Sequence, residues 1–316
     1  MKHTMIFLYQ YAKGVGMTRR IQKHGSTYYR ETMKQYCGKK ILNYSETSKF
    51  IIEKLNSGEP FMVCRFGANE LAALRTFDFE NTSKYAEHLS RLHTYAGFFP
   101  ENARAGKKFS ELMIHSIPEA DLIGIWPQPF EEYYLKNYGS EQLNCTWLKG
   151  LEPWQNPSCP WTIGLKGKKV LVIHPFSESI RAQYLKRESL FPDTDILPEF
   201  DLQVFQSVQT SGGSEDNRFD SWSEALTWME NEILKLDFDV AIIGCGAYGF
   251  PLASALKRAG KQAIHIGGIT QLLFGIMGSR WENNPDITKY VNDAWVRPSQ
   301  LERPKDADKI ENACYW

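Results

Sequence analysis

An excess of charge of either sign is absent from this 316-residue chain: 37 Lys and Arg balance 37 Asp and Glu, so the formal net charge is zero. No bulk field therefore draws it to a polyanion, and no nucleic-acid-reading motif accompanies its basic residues, so nucleic acid is not an expected partner. Long apolar runs are missing too. No segment approaches the ~20 consecutive apolar residues that a membrane-crossing helix needs, and the run from Met5 to Tyr9 is too short for a signal-peptide core. The expected location is the cytoplasm. The six cysteines, Cys37, Cys64, Cys145, Cys159, Cys245 and Cys314, form no C-x-x-C pair and have no histidine nearby, so neither a zinc site nor a disulfide framework is signalled. His88 and His93 likewise have no partner at metal-ligand spacing.

What is present is a globular composition, 42% hydrophobic and 13% aromatic, enough to bury one sizeable core. The zero balance hides a basic head. Residues 1–40 carry Lys2, Lys13, Arg19, Arg20, Lys23, Arg30, Lys34, Lys39 and Lys40 against only Glu31, interleaved with Tyr9, Tyr11, Tyr28, Tyr29 and Tyr36. Such an arm suits either plain solvation or peripheral attraction to an anionic membrane surface. Residues 41–291 read as one domain, and residues 292–316 as a tail whose closing Cys314-Tyr315-Trp316 packs on it.

Along that domain, apolar runs alternate with helical patterns. Strands are expected at Phe61 to Phe66, Asp121 to Trp126, Val170 to Phe176, Leu202 to Val208, Val240 to Ile243 and Gln262 to Ile266. Helices are expected at Ser45 to Ser57, from Glu70 onward with Asn69 as N-cap, and at Ala103 to His115, Glu178 to Arg187 and Trp222 to Leu236. The stretch from Tyr133 to Trp161, dense in Trp, Tyr and Pro, reads as a loop that serves as a lid or covers the sheet edge. This alternation implies a Rossmann-like α/β fold, a largely parallel sheet with helices on both faces.

The stretch from Asp239 to Trp281 reads as a nucleotide-handling unit. Its first strand ends in Gly244-Cys245-Gly246-Ala247-Tyr248-Gly249, a helix follows, and the second strand ends in His265-Ile266-Gly267-Gly268 before a short apolar helix containing Gln271. Two glycine-rich turns at the carboxyl ends of neighbouring parallel strands suit a phosphate-bearing ligand. Gly244, Gly246 and Gly249 match the dinucleotide pattern G-x-G-x-x-G, but His265 stands where a ribose-binding acid is expected. The glycines also fit a packing role alone. At other strand tips stand Arg65 and Glu70, which fit either chemistry or an internal salt bridge, and His174 followed by Ser177, a functional or a core histidine. The turn from Thr210 to Ser214 is a further place where backbone could approach phosphate.

Arg65-Phe66-Gly67-Ala68-Asn69-Glu70, the strand from Lys168 to His174, Gly244-Cys245-Gly246-Ala247 and the run from Gln262 to Gly267 together give a resemblance. In that order and spacing, over Ser45 to Trp281, the sequence resembles bacterial GT-D fold glycosyltransferases, including a former domain-of-unknown-function family encoded among surface-polysaccharide genes. The resemblance implies a hexosyl transfer from a nucleotide-sugar donor to a glycan or lipid-linked acceptor. It makes Glu70 and Arg65 the catalytic candidates. Donor binding would fall to Gly67, Asn69, Lys168, His174, Ser177, Gly244, Gly246, Ala247, Tyr248, Gly249, His265, Gly267, Gly268, Gln271 and Arg280. A divalent ion, Mn2+ or Mg2+, would be held through an Asp-x-Glu motif. Here Ala68 replaces the motif's Asp, and Glu70 alone remains. Two other readings stay open: an NAD(P)-dependent oxidoreductase resting on the glycine pattern, and a noncatalytic nucleotide-sugar binder motivated by Ala68.

Overall fold

A computed structural model describes residues 2–24, 32–214 and 216–316 of the chain. Tyr28, Tyr29, Arg30 and Glu31 of the basic head lie outside the described residues. Nine strands form one sheet: β1 (Gln35–Tyr36), β2 (Lys39–Leu42), β3 (Phe61–Arg65), β4 (Leu122–Ile125), β5 (Asn144–Trp147), β6 (Lys169–His174), β7 (Asp201–Gln206), β8 (Val240–Ile243) and β9 (Gln262–His265). Their spatial order is β1-β2-β5-β4-β3-β9-β8-β6-β7. Every pairing is parallel except β1 with β2. From β3 the chain winds to β4 and β5 on one side, whereas β6 to β9 lie on the other. The switch in winding direction therefore falls at the seam between β3 and β9, where open parallel sheets bind ligands.

Burial of both faces explains why the central strands are continuous apolar runs. Met62, Cys64, Ile123, Ile125, Leu171, Ile173, Ala241 and Ile243 enter one core. Their neighbours Phe61, Val63, Leu122, Val170, Val172, Val240, Ile242 and Ile264 enter the other, as a period of two requires. Of the helices of eight residues or more, α1 (Lys2–His24) lies on the outside, and α2 (Tyr44–Ser57) covers the second core with Ile51 and Leu55. The first core is covered by α3 (Ala68–Asp78), α4 (Tyr85–Ala96) and α5 (Ala103–Ser116), with Leu71, Leu74, Leu92, Phe109 and Met113 facing in. Then come α6 (Glu131–Tyr138), α7 (Ser177–Tyr184), α8 (Trp222–Ile233) and α9 (Gly249–Arg258), of which α8 and α9 add Trp222, Leu226, Leu252 and Leu256 to the first core.

Local chemistry sets the helix ends. Asn43 caps α2 by accepting from Glu46 N at 2.9 Å while Glu46 Oε2 accepts from Asn43 N at 2.9 Å, and Gly58 closes the helix at φ 72°. At α3 the expectation of an Asn69 cap is corrected: the helix starts at Ala68 and its cap is Gly67, which offers no side chain. Two segments also depart from the expected organisation. Strands β1 and β2 begin the sheet inside residues 1–40, and β5 runs through the stretch read as a lid. Each is short and polar in sequence. Their place comes from partners: Ile41 and Leu42 pair with Cys145 and Thr146, and buried Thr47 Oγ1 donates to Thr146 Oγ1 at 2.7 Å.

Candidate functional site

Parallel strands bring their carboxyl ends to one edge, and a cavity of about 520 Å³ opens there. It is lined from β3 by Arg65, after β4 by Trp126, at the end of β6 by His174, after β7 by Ser207, after β8 by Gly244 and at the end of β9 by His265. The first turn of α3 supplies Ala68, Asn69 and Glu70. That volume lies within the range of small-molecule sites.

Two of the cavity's charged groups, Arg65 and Glu70, stand at the end of β3 and in the first turn of α3. The Arg65 guanidinium stands 5.3 Å over the Trp126 ring, and Trp126 Nε1 donates to Phe66 O at 3.1 Å, which fixes the indole beneath it. Among the described residues, the Arg65 side chain has neither a hydrogen bond nor an ion pair; the Glu70 carboxylate accepts from its own backbone N–H and has no ion pair, and each group feels the other's charge. Burial pulls the Arg65 pKa down, yet a guanidinium stays charged. Burial also raises the Glu70 carboxyl above the usual carboxylate range, with Arg65 opposing. The carboxylate folds back over Gly67, where a Cβ would stand 1.8 Å from Glu70 Oε2. Gly67 is a glycine because Glu70 occupies its side-chain space.

Both cavity histidines are neutral. His174 Nδ1 accepts from Phe176 N at 3.0 Å, which assigns its proton to Nε2; burial lowers its pKa to about 3. His265 Nδ1 donates to Ile243 O at 3.2 Å, and burial together with the Arg65 charge lowers its pKa to about 3. They are hydrogen-bonding groups, not cations.

The two glycine turns are built by packing. At Gly244 a Cβ would meet Thr270 Oγ1 at 2.6 Å and Gly267 O at 2.7 Å; at Gly246, which has φ 58°, it would meet Ala96 O at 2.9 Å; at Gly249 it would fall 2.2 Å from the His265 ring. Gly267, at φ 68°, faces the Arg65 side chain, and Gly268 is covered by the Tyr315 ring. Gln271 Nε2 holds the tail by donating to Tyr315 O at 3.0 Å, and its Oε1 lacks a partner. Arg280 is already engaged: it is ion-paired with Glu311, and Nη1 donates to Tyr315 Oη at 3.0 Å.

Thirteen of the sequence candidates, Arg65, Gly67, Asn69, Glu70, His174, Gly244, Gly246, Tyr248, His265, Gly267, Gly268, Gln271 and Arg280, line this one cavity. Four do not. Ser177, Ala247 and Gly249 are buried in the helix starts beside it. Lys168 is a clear correction: it precedes β6, and its carbonyl accepts from Asp201 N at 2.9 Å where β7 begins, so it sits at the amino edge, opposite the cavity. Sequence reasoning missed Trp126, Glu152, Glu311 and Tyr315, all of which line the cavity. Glu152 Oε2 is spent on Trp154 Nε1 and Gln155 Nε2, each at 2.9 Å.

The residues present do not make a metal centre by themselves. Ala68 offers no donor, and among the described residues no group of three or more His, Cys, Asp or Glu is placed to hold an ion.

No protein-family model matches the chain, and neither does a curated protein. Two solved structures are similar to it. One is a selenomethionine-substituted structure of domain of unknown function 1792, at 16% identity and TM-score 0.44, covering 85% of this chain and 95% of that one. The other, at 14% identity and TM-score 0.44, covers 84% of this chain and 93% of that one; there the same domain is described as having a distinct glycosyltransferase fold.

Proposed function

We propose that the chain is a glycosyltransferase that takes a sugar from a nucleoside-diphosphate donor bound in the strand-end cavity and passes it to a hydroxyl of a glycan or lipid-linked acceptor. The observation that carries this reading is the pair Arg65 and Glu70 in the cavity wall beside the end of β3, an arginine without a hydrogen bond or ion pair among the described residues and a carboxylate bonded to its own backbone amide. A half-buried guanidinium without an ion pair costs free energy that the phosphates of a bound donor would offset.

Each has a role in the transfer. Arg65, held flat by Trp126, meets the diphosphate and stabilises the negative charge that grows on its oxygen as the bond to the anomeric carbon breaks. The starts of α3 and α9 at the same edge add partial positive charge. Neutral His174, His265 and Gln271 supply directional hydrogen bonds without charge. Glu70 accepts the proton of the acceptor hydroxyl as its oxygen bonds to the sugar, and a raised pKa brings the base closer to working pH. Any divalent ion would be held at this edge mainly by donor phosphates, with Glu70 as the protein's carboxylate; no step above depends on it.

The dinucleotide reading is disfavoured by Gly246. In that fold the second glycine makes room for a pyrophosphate, whereas here its side-chain space is filled by Ala96 O. Thermal-shift titration with UDP-sugars, GDP-sugars, NAD and NADP, followed by transfer assays on the best ligand, tests the proposal. Arg65→Met should abolish nucleotide-sugar binding, whereas Glu70→Gln should keep binding and lose turnover. Stabilisation by NAD alone, or full turnover by the Gln variant, would overturn it.

A further inference from the structure

Away from the cavity, exposed large apolar side chains concentrate on α1, where Met5, Leu8 and Tyr9 are 71%, 62% and 65% exposed. At about 100° per residue, these three stand on one side of the helix together with Ala12, and the same stripe continues through exposed Arg19, Arg20 and Lys23. The helix contains no Asp or Glu. Its opposite side is seated on the protein: the Phe7 ring lies 5.1 Å from Phe130 and 5.8 Å from Phe79. On the same side Gly14 packs so closely on Pro129 that a Cβ would fall 2.4 Å from its Cα, and at the flank of the stripe Lys13 pairs with Glu132 at 2.8 Å. The outward stripe is thus fixed in direction, apolar in its first half and basic in its second.

No described helix is long and apolar enough to cross a membrane, so this one would lie on a surface. We propose that α1 docks the protein on an anionic lipid surface, with Met5, Leu8 and Tyr9 set at the headgroup level and Arg19, Arg20 and Lys23 against lipid phosphates. Charge complementarity selects this occupant. A second copy laying the same acid-free stripe against it would bring like charges together, whereas anionic lipid answers the basic half and accepts the apolar half. Docking also has a consequence for the site, because α1 rests on the segment that follows Trp126, a wall of the cavity. It stands whether or not the transfer reading holds, since vesicle binding is measured without a donor.

The full chain should cosediment with vesicles of phosphatidylcholine containing phosphatidylglycerol and not with phosphatidylcholine alone. Binding should vanish between 0.1 M and 1 M salt as the Debye length contracts from ~10 Å to ~3 Å. Replacing Arg19, Arg20 and Lys23 together by Gln should weaken partitioning about a hundredfold. Met5→Ser with Leu8→Ser should weaken it at least several-fold, and both variants should melt as the parent does, because the replaced side chains face outward. Three results would overturn the proposal: equal binding to neutral and anionic vesicles, undiminished binding by the triple variant, or no binding by the parent. Light scattering that shows a dimer lost on Leu8→Asp would assign the stripe to a second copy instead.

Discussion

Gly67→Ala separates the chemistry at the tip of β3 from its stability. Gly67 has φ −78° and ψ 149°, a conformation open to any residue, so the substitution brings no backbone strain. It should even stabilise by about 0.4–1 kcal/mol through the unfolded chain. The new methyl, however, would stand 1.8 Å from Glu70 Oε2, so the carboxylate must leave its folded-back position. That rotation costs about 0.5–1.5 kcal/mol, close to the gain, and the two nearly cancel. The melting temperature should therefore stay within about 3 °C of the parent. Turnover should fall sharply, since a displacement of about 1 Å in a catalytic group costs on the order of 100-fold. Measuring kcat for transfer beside the thermal melt, with Glu70→Gln as reference, gives a direct comparison. A variant that folds normally and turns over at the parent rate would refute the base role given to Glu70. A large loss of stability would refute the claim that only the carboxylate fills the Gly67 space.

Glu131, which does not line the cavity but accepts from Trp126 N behind its wall, offers a pH test of stability. Its buried carboxyl is raised to about 7, above the unfolded value, so the folded protein holds the extra proton; stability from this group is full below pH 4.5 and is lost as pH rises through about 7. Denaturant titration across that range should show Glu131→Gln removing a slope on the order of 3 kcal/mol, and identical profiles for variant and parent would contradict it. Lys168→Ala should leave the nucleotide-sugar Kd within about twofold, because the residue sits at the far edge of the sheet, and a tenfold loss would show that its placement is wrong.

Six parallel strands were legible in the sequence: five are buried on both faces and carry nearly uninterrupted apolar runs, and β7, the half-buried edge strand, still shows Leu202, Val204 and Phe205 between polar residues. Strands β1, β2 and β5 were not, since a run such as Asn144-Cys145-Thr146-Trp147 has no periodic signal of its own and becomes a strand through its partners. The rule that parallel sheets act at their carboxyl ends located Arg65, Glu70, His174 and His265. Applied with the same strictness, it finds Trp126 directly after β4 and rejects Lys168 directly before β6. Glu311 and Tyr315 had no comparable signal. They reach the cavity by the tail's path, held by Arg280 N to Cys314 O at 3.0 Å and by Gln271 to Tyr315 O, contacts that no local pattern encodes.

The most conspicuous sequence motif has a packing explanation of its own. A glycine pattern records where a side chain is forbidden, not what forbids it. At Gly244, Gly246 and Gly249 the forbidding groups are a threonine hydroxyl, backbone carbonyls and the His265 ring, which are the ordinary causes of close packing between a helix and a sheet. At Gly67, outside the motif, the forbidding group is the Glu70 carboxylate, which accepts from its own backbone amide, beside an arginine that has no hydrogen bond or ion pair among the described residues. A carboxylate in the third position of α3, folded back over the cap residue, also fits a helix-start role, so what packing leaves unexplained is the Arg65 guanidinium, which costs free energy while it has no ion pair. That cost is offset when a ligand's charges meet the guanidinium; on the proposed reading the transfer chemistry falls beside β3, with the glycine turn after β8 in the same cavity wall.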